Sequence, residues 1–243
     1  MAKKIFFTSF KGGTGVTTCC VGVGRALAEL GERTLICDGD RRGADALIMG
    51  DVRDMLVYTL SDYEKGACRA KQTIISHPKY SNLHFMSSLG LKDEAYAKRA
   101  VEDLEGLFDY LLLDKFAPET CDSAVIVTDP FPYSVKSADV CRSALWDGGV
   151  KDIKLMVNKL SAALILSGES MTAKEISTLI RVELAAAIPE DLSLPVGRWR
   201  ANTLAAFKSA AENLTGKSKD VHDVLKNYKG LRGYLKRKLR EHV

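Results

Sequence analysis

The sequence predicts an α/β protein built on a doubly wound, mostly parallel sheet flanked by helices. Three observations carry this. Short runs that are apolar throughout recur along the chain, stretches with helical periodicity separate them, and no internal repeat or low-complexity linker breaks the alternation. Strands apolar along their whole length are covered on both faces, as parallel strands are, and strand–helix alternation is the pattern of a doubly wound sheet. Strands are expected at 4–10, 33–38, 82–88, 110–114, 123–129, 153–159 and 183–189, and helices at 17–31, 93–108, 134–148, 172–181 and 201–214. Gly31 is placed to end the first helix as a C-cap. Residues 1–216 read as one domain, and 217–243 as a basic amphipathic C-terminal helix.

The 243 residues, 46% hydrophobic and 27% charged, suit one large globular domain. No apolar run approaches the roughly 18 residues that a membrane-spanning helix needs. "MAKKIFFTSF" reads as a first strand and not as a signal peptide, because its apolar part stops within a few residues. Six cysteines at 19, 20, 37, 68, 121 and 141 form no C-x-x-C pair. They read as reduced, buried thiols of a cytoplasmic protein rather than as a metal site.

In doubly wound folds ligands bind at the carboxyl ends of the strands. The loops after residues 9, 38, 114 and 158 are therefore the places to look. The first holds "SFKGGTGVTT" (9–18), between a strand and a helix. Gly12, Gly13 and Gly15 can adopt positive φ and let backbone N–H groups converge on an anion. The start of the following helix adds its positive dipole end, and the Thr17 and Thr18 hydroxyls lie where magnesium and phosphate would be. A tight turn is the simpler reading, and three glycines in four residues with two threonines weigh against it.

A strict G-x-x-x-x-G-K-[ST] pattern fails at Phe10 and Val16. What stands is K-G-G-x-G-x-T-T from Lys11, which resembles the deviant Walker A loop of the MinD/ParA family, K-G-G-x-G-K-T-T. "TLICDGDRRGADALIMG" (34–50) is similar to that family's switch I region, with a D-x-D pair at Asp38 and Asp40. "FDYLLLDKFAP" (108–118) stands where the family has its Walker B strand, ending at Asp114. "VNK" (157–159) and "IPED" (188–191) stand where it cradles adenine. All five blocks agree in order and spacing.

The resemblance implies a SIMIBI-like P-loop NTPase fold that binds ATP or ADP with Mg²⁺ between the halves of a homodimer. It implies that Lys11, Gly12, Gly13, Thr14, Gly15, Val16, Thr17 and Thr18 wrap the phosphates. Thr17 ligates magnesium, and Asp38 and Asp114 hold it through water. Asp40 orients the attacking water, Lys11 neutralises developing charge across the dimer, and Asn158 reads the base beside Pro189. Helix caps at Asp38 and Asp40 and a turn residue at Asn158 are the less favoured readings of these positions.

Two departures stand out. Val16 replaces the lysine that contacts the β- and γ-phosphates, a loss on the order of 10²–10³ in rate or more. After Asp114 the family continues D-x-P-x-G, whereas here the run is "DKFAP", with Pro118 displaced and no glycine following. Both faults point to nucleotide held weakly or statically, with hydrolysis slow or absent. Arg41, Arg42 or Lys115 could restore the lost charge, although an exposed basic patch is the favoured reading of the arginines. Cys121 falls near one cysteine of the superfamily's cluster-binding branches, but "HFMSSLG" has no second ligand, so it reads as a packing residue.

The net charge of +4 is uneven. Residues 226–243 carry seven basic side chains against Glu241, so this stretch holds +6 and the rest of the chain −2. On an ideal helix Val221, Val224, Leu225, Tyr228, Leu231, Leu235, Leu239 and Val243 fall within a stripe of about 120°, flanked by lysines. "GLRGYLKRKL" is similar to the membrane-targeting helix of the family's MinD branch. An anionic membrane surface and a helix packed on the domain are equally open, with nonspecific DNA less favoured. The resulting expectation is an ATP-controlled dimer that positions an unidentified protein partner, cytoplasmic or peripheral at the inner membrane face. The alternatives are a non-catalytic scaffold of the same fold in pilus, flagellar or division machinery and, less favoured, a small-molecule ligase or reductase of the superfamily.

Overall fold

The computed structural model describes residues 1–116, 121–194, 198–218 and 220–228. In chain order the elements are β1 (Lys3–Thr8), α1 (Val16–Glu29), β2 (Thr34–Asp38), α2 (Asp45–Met49), α3 (Leu60–Glu64), β3 (Ile75–Ser76), β4 (Leu83–Ser87), α4 (Glu94–Leu104), β5 (Tyr110–Asp114), β6 (Ser123–Thr128), α5 (Pro132–Asp147), β7 (Ile153–Leu160), α6 (Ala162–Leu166), α7 (Ala173–Ile180), β8 (Glu183–Pro189) and α8 (Ala201–Leu214). One sheet runs β3-β4-β2-β5-β1-β6-β7-β8. Every pairing is parallel except β3 against β4.

Successive strand side chains point to opposite faces, and two cores follow from that period. Ile5, Phe7, Ile36, Leu112, Val125 and Val127 face α1, α2 and α8. Phe6, Leu35, Cys37, Leu111, Leu113, Ala124 and Ile126 face α3, α4, α5 and α7. The sheet is thus covered on both sides, which is why its strands read as uninterrupted apolar runs. Cys19, Cys20, Cys37 and Cys141 are buried in these layers, and burial raises each thiol's pKa. Cys121 packs against the second layer, as a packing residue should.

The caps agree with the sequence. Gly31 lies one residue past the α1 C-cap at φ +93, where Gly31 N–H donates to Ala28 O and Glu32 N–H to Leu27 O. Asp93 caps α4, Thr172 and Glu175 form a capping box on α7, and Pro132 opens α5. Up to α8 the expected strands and helices are all present, with ends moved by up to four residues, the largest shift being the end of α4 at Leu104 where 108 was expected. β3, α2, α3 and α6 were not foreseen, because at two to five residues they are too short to show a period.

The chain past α8 differs from the expected helix. Residues 220–226 form no α-helix, and a single 3₁₀ turn spans Lys226–Tyr228. Val221 and Val224 pack instead on the second of these cores, in a groove shared with Leu160, Ile165, Ala173 and Leu184. Their partial burial holds this stretch against the domain. The basic run 229–243 and Pro118 lie outside the described residues.

Candidate functional site

The four loops singled out in the sequence meet at one end of the sheet. β1 lies between β5 and β6, so its loop 9–15 is central. Gly13 and Gly15 adopt positive φ, +82 and +91, while Gly12 does not. Gly15 is the N-cap of α1 and supplies no side chain, so the first-turn N–H groups of α1 have no side-chain acceptor at the cap. Those donors and the helix dipole make an anion cradle. Lys11, Gly12, Gly13, Thr14, Gly15, Val16, Thr17, Asp45 and Lys115 line a cleft of about 300 Å³ here. Val16 takes no part in polar chemistry; its side chain packs on the core under α1.

Strand register brings the acids together. Asp38 ends β2 and Asp114 ends β5, and the two are direct partners across that pair. Both are fully buried. Asp38 Oδ1 accepts from Asp40 N–H at 2.9 Å and Oδ2 from Ala46 N–H at 3.0 Å. Asp114 Oδ2 accepts from the Thr17 hydroxyl at 2.7 Å, joining the loop to the Walker B position. Asp114 Oδ1 is buried without a hydrogen-bond partner among the described residues, and so is Thr14 Oγ1. Burial lifts the Asp38 carboxyl to about 6 against its two amide bonds, with the Asp40 charge adding to the lift. Burial lifts Asp114 to about 7, opposed by Thr17 and assisted by the neighbouring Asp38 charge. Buried carboxyls this poorly compensated would be neutralised by a cation. An unpartnered carboxylate oxygen beside a threonine and an uncapped helix fits a magnesium–phosphate group.

Asp40 behaves differently. Its Oδ1 accepts from Arg42 N–H at 2.9 Å and Gly43 N–H at 3.1 Å, and Oδ2 accepts from Lys115 Nζ at 3.2 Å. The Arg42 amide bond, with those from Gly43 and Lys115, holds its carboxyl at about 2. Asp40 therefore folds its own loop without capping α2, whose Ala46 N–H is taken by Asp38. Lys115 also donates to Asp45 Oδ2 at 3.0 Å. Burial alone would pull its ammonium down, but the Asp45 and Asp40 bonds outweigh this and hold it above the ordinary lysine range. Lys115 has φ +54, a left-handed conformation that costs a non-glycine residue about 1–2 kcal/mol. Gly39 permits it: a Cβ there would lie 2.3 Å from Lys115 O. Arg41 turns away to Glu94 and to Lys92 O, and Arg42 is exposed.

Lys11 Nζ donates to Ser134 Oγ at 2.8 Å and lies 3.8 Å from Asp129 Oδ2, at the start of α5 in its own chain. Asn158 is buried, and its Nδ2 donates to Thr14 O at 2.9 Å. A Cβ on Gly15 would be 2.3 Å from that nitrogen. The structure thus brings Asn158 to the glycine loop, where one N–H of its amide holds the Thr14 carbonyl. Pro189, at the end of β8, pairs with Leu160 and lies beyond the cleft lining. Thr18 stands one residue further into α1.

Sequence reasoning missed five participants, the first being Asp45, which lines the cleft and accepts from Lys115. Asp129 and Ser134 hold Lys11. Lys159, at φ +56, donates to Gly13 O at 2.6 Å. Buried Asp191 accepts from Thr203 Oγ1 at 2.7 Å, Ser193 N–H at 3.0 Å and the Ser193 hydroxyl, and so organises the loop after β8. Burial opposes ionisation of Asp191, yet these bonds hold its carboxyl below the usual range. Only "D-L-S" after "IPE" hinted at the Asp191 cluster.

The site and sheet order define a P-loop NTPase fold. A family profile described as an AAA domain matches residues 2–134. A relative from Guillardia theta, named for the septum site-determining protein MinD, is 31% identical over 263 residues, spanning 98% of this chain and 96% of its own. A MinC:MinD cell division complex from Aquifex aeolicus shares the fold at TM-score 0.81 and 24% identity, covering 89% of this chain and 97% of that one. The septum site-determining MinD complexed with Mg-ADP from Pyrococcus horikoshii does so at 0.77 and 23% identity, covering 90% and 100%. The chain belongs to the MinD/ParA family. Among the described residues no helix is long and apolar enough to cross a membrane.

Proposed function

We propose that the chain binds ATP or ADP with magnesium in its glycine loop and acts as a MinD/ParA-type positioning or partitioning protein whose hydrolysis is slow or absent. The observation that carries this reading is the buried, unpartnered Asp114 Oδ1, set beside Thr17 and the uncapped start of α1. Gly12, Gly13, Thr14, Gly15, Thr17 and Thr18 hold phosphate in this reading, Thr17 ligates magnesium, and Asp38 and Asp114 support it through water. Magnesium supplies charge neutralisation at the phosphates. Asn158 fixes the loop, and Pro189 borders the base. Lys11 leaves Ser134 and Asp129 to reach the nucleotide of a second copy in a homodimer. Residues 229–243 dock on an anionic membrane surface from the cytoplasmic side, and a protein partner, as MinC is for the Aquifex MinD, reads the dimer.

Two observations favour a non-catalytic scaffold as the second reading. Val16 is spent on packing, and Asp40, expected to orient water, is spent on its loop and Lys115. Mg-ATP binding and turnover of the wild type beside Val16→Lys tests the first reading. Binding with slow turnover, raised by the lysine, supports it; turnover at rates typical of the family that Val16→Lys leaves unchanged refutes the weak-hydrolysis part. A dimer whose population ignores ATP favours the scaffold.

A further inference from the structure

Val16 leaves the phosphate cleft without its usual lysine, yet the cleft is not short of lysine. Lys115 lines the same cleft as Val16, Thr17 and Gly12 to Gly15, although it comes from just past the end of β5. The other two cations raised as substitutes are elsewhere. Arg41 is bound to Glu94 and Lys92 O, and neither Arg41 nor Arg42 lines the cleft.

Charge balance makes a cation necessary. Asp38, Asp40, Asp45 and Asp114 all stand at this end of the sheet, around or beside the loop. A di- or triphosphate brought among four carboxyls is repelled unless fixed positive charge faces it. Lys115 is placed for this, and its placement is costly. It carries a left-handed backbone that a lysine adopts with strain, and it persists because Gly39 lets the two loops touch. Its present partners are replaceable: Asp45 is half exposed and Asp40 retains two backbone donors without it.

We infer that Lys115 takes the place of the missing P-loop lysine as a phosphate ligand, exchanging Asp45 and Asp40 for the nucleotide's phosphates. The inference rests on the nucleotide-binding reading above and names the residue that makes that binding possible. It also links the nucleotide to the loop 39–45, because Asp40 and Asp45 lose a partner when Lys115 moves. A second route to a P-loop lysine thus replaces the loss at position 16.

Calorimetric titration of the full chain with Mg-ADP tests this. Lys115→Met, which keeps the aliphatic stem, is expected to weaken binding roughly tenfold or more, while Arg41→Ala leaves it unchanged. Val16→Lys added to Lys115→Met restores affinity to within about threefold of wild type. Should Lys115→Met fold poorly, Asp45→Asn decides instead: it frees Lys115 from one partner and is expected to tighten Mg-ADP about threefold. Wild-type affinity in Lys115→Met, no rescue by the added lysine, or unchanged or weaker binding in Asp45→Asn overturns the role of Lys115 while leaving the nucleotide-binding reading intact. A wild type that binds neither Mg-ADP nor Mg-ATP at millimolar concentration overturns both.

Discussion

Asp114→Asn isolates the buried acid pair. A carboxyl whose pKa is higher in the folded chain than in the unfolded one binds its proton more tightly when folded, so stability falls as pH rises from the unfolded value to the folded one. For Asp114 that window runs from 3.8 to about 7. At about 1.4 kcal/mol per pH unit the cost by pH 8 is on the order of 4 kcal/mol. Asp38 acts in the same direction between 3.8 and about 6. Asp40 has the opposite sign: its stabilisation is present above 3.8 and is lost only as pH falls through about 2, outside the useful range. The substituted amide can still accept the Thr17 hydroxyl bond, but its NH₂ needs a partner, which takes back about 1–3 kcal/mol. The variant without nucleotide or magnesium should therefore gain roughly 1–3 kcal/mol at pH 8, and its stability should vary less between pH 5 and 8. Relieving Asp114 also lowers Asp38, because the pair no longer repels. Urea midpoints measured in EDTA across that range read this directly. A variant less stable than wild type at pH 8, with the same pH slope, would refute the account of an uncompensated buried carboxylate.

Other changes test the supports of the site. Gly39→Ala places a Cβ 2.3 Å from Lys115 O, so it should cost about 1–3 kcal/mol, and an unchanged thermal midpoint would show that the loops do not touch. Asn158→Ala strands the buried Thr14 carbonyl at a cost of about 1–3 kcal/mol; hydrogen exchange at 13–16 should quicken, and unaltered protection would remove the clamp. A chain ending at Asn227 should lose sedimentation with anionic vesicles while keeping Mg-ADP affinity, and equal vesicle binding by both forms would take the membrane role from residues 228–243.

How much of this was legible in the sequence depends on range. Apolar runs gave the sheet because each strand is buried on both faces, and the glycine loop showed itself because its chemistry is contiguous. Asp38 and Asp114 could be picked out as acids closing two strands. That they are neighbours is a fact of register, and so is the rise in their pKa. Lys115 illustrates the limit. In "LLLDKFAP" it is one lysine after a strand, indistinguishable from a solvated one. Its meaning comes from Gly39 and Asp45, some 70 residues away in sequence, which seat its backbone and hold its ammonium beside the cleft that Asp45 and Lys115 both line. The same holds for Lys159 on Gly13 and Asn158 on Thr14: polar side chains at strand ends, whose partners the topology alone supplies. A motif scan reads position 16 and finds a charge missing. The folded chain carries lysine at that cleft from another strand, so a substitution inside a motif is judged by the cations around the site and not by the motif's own letters.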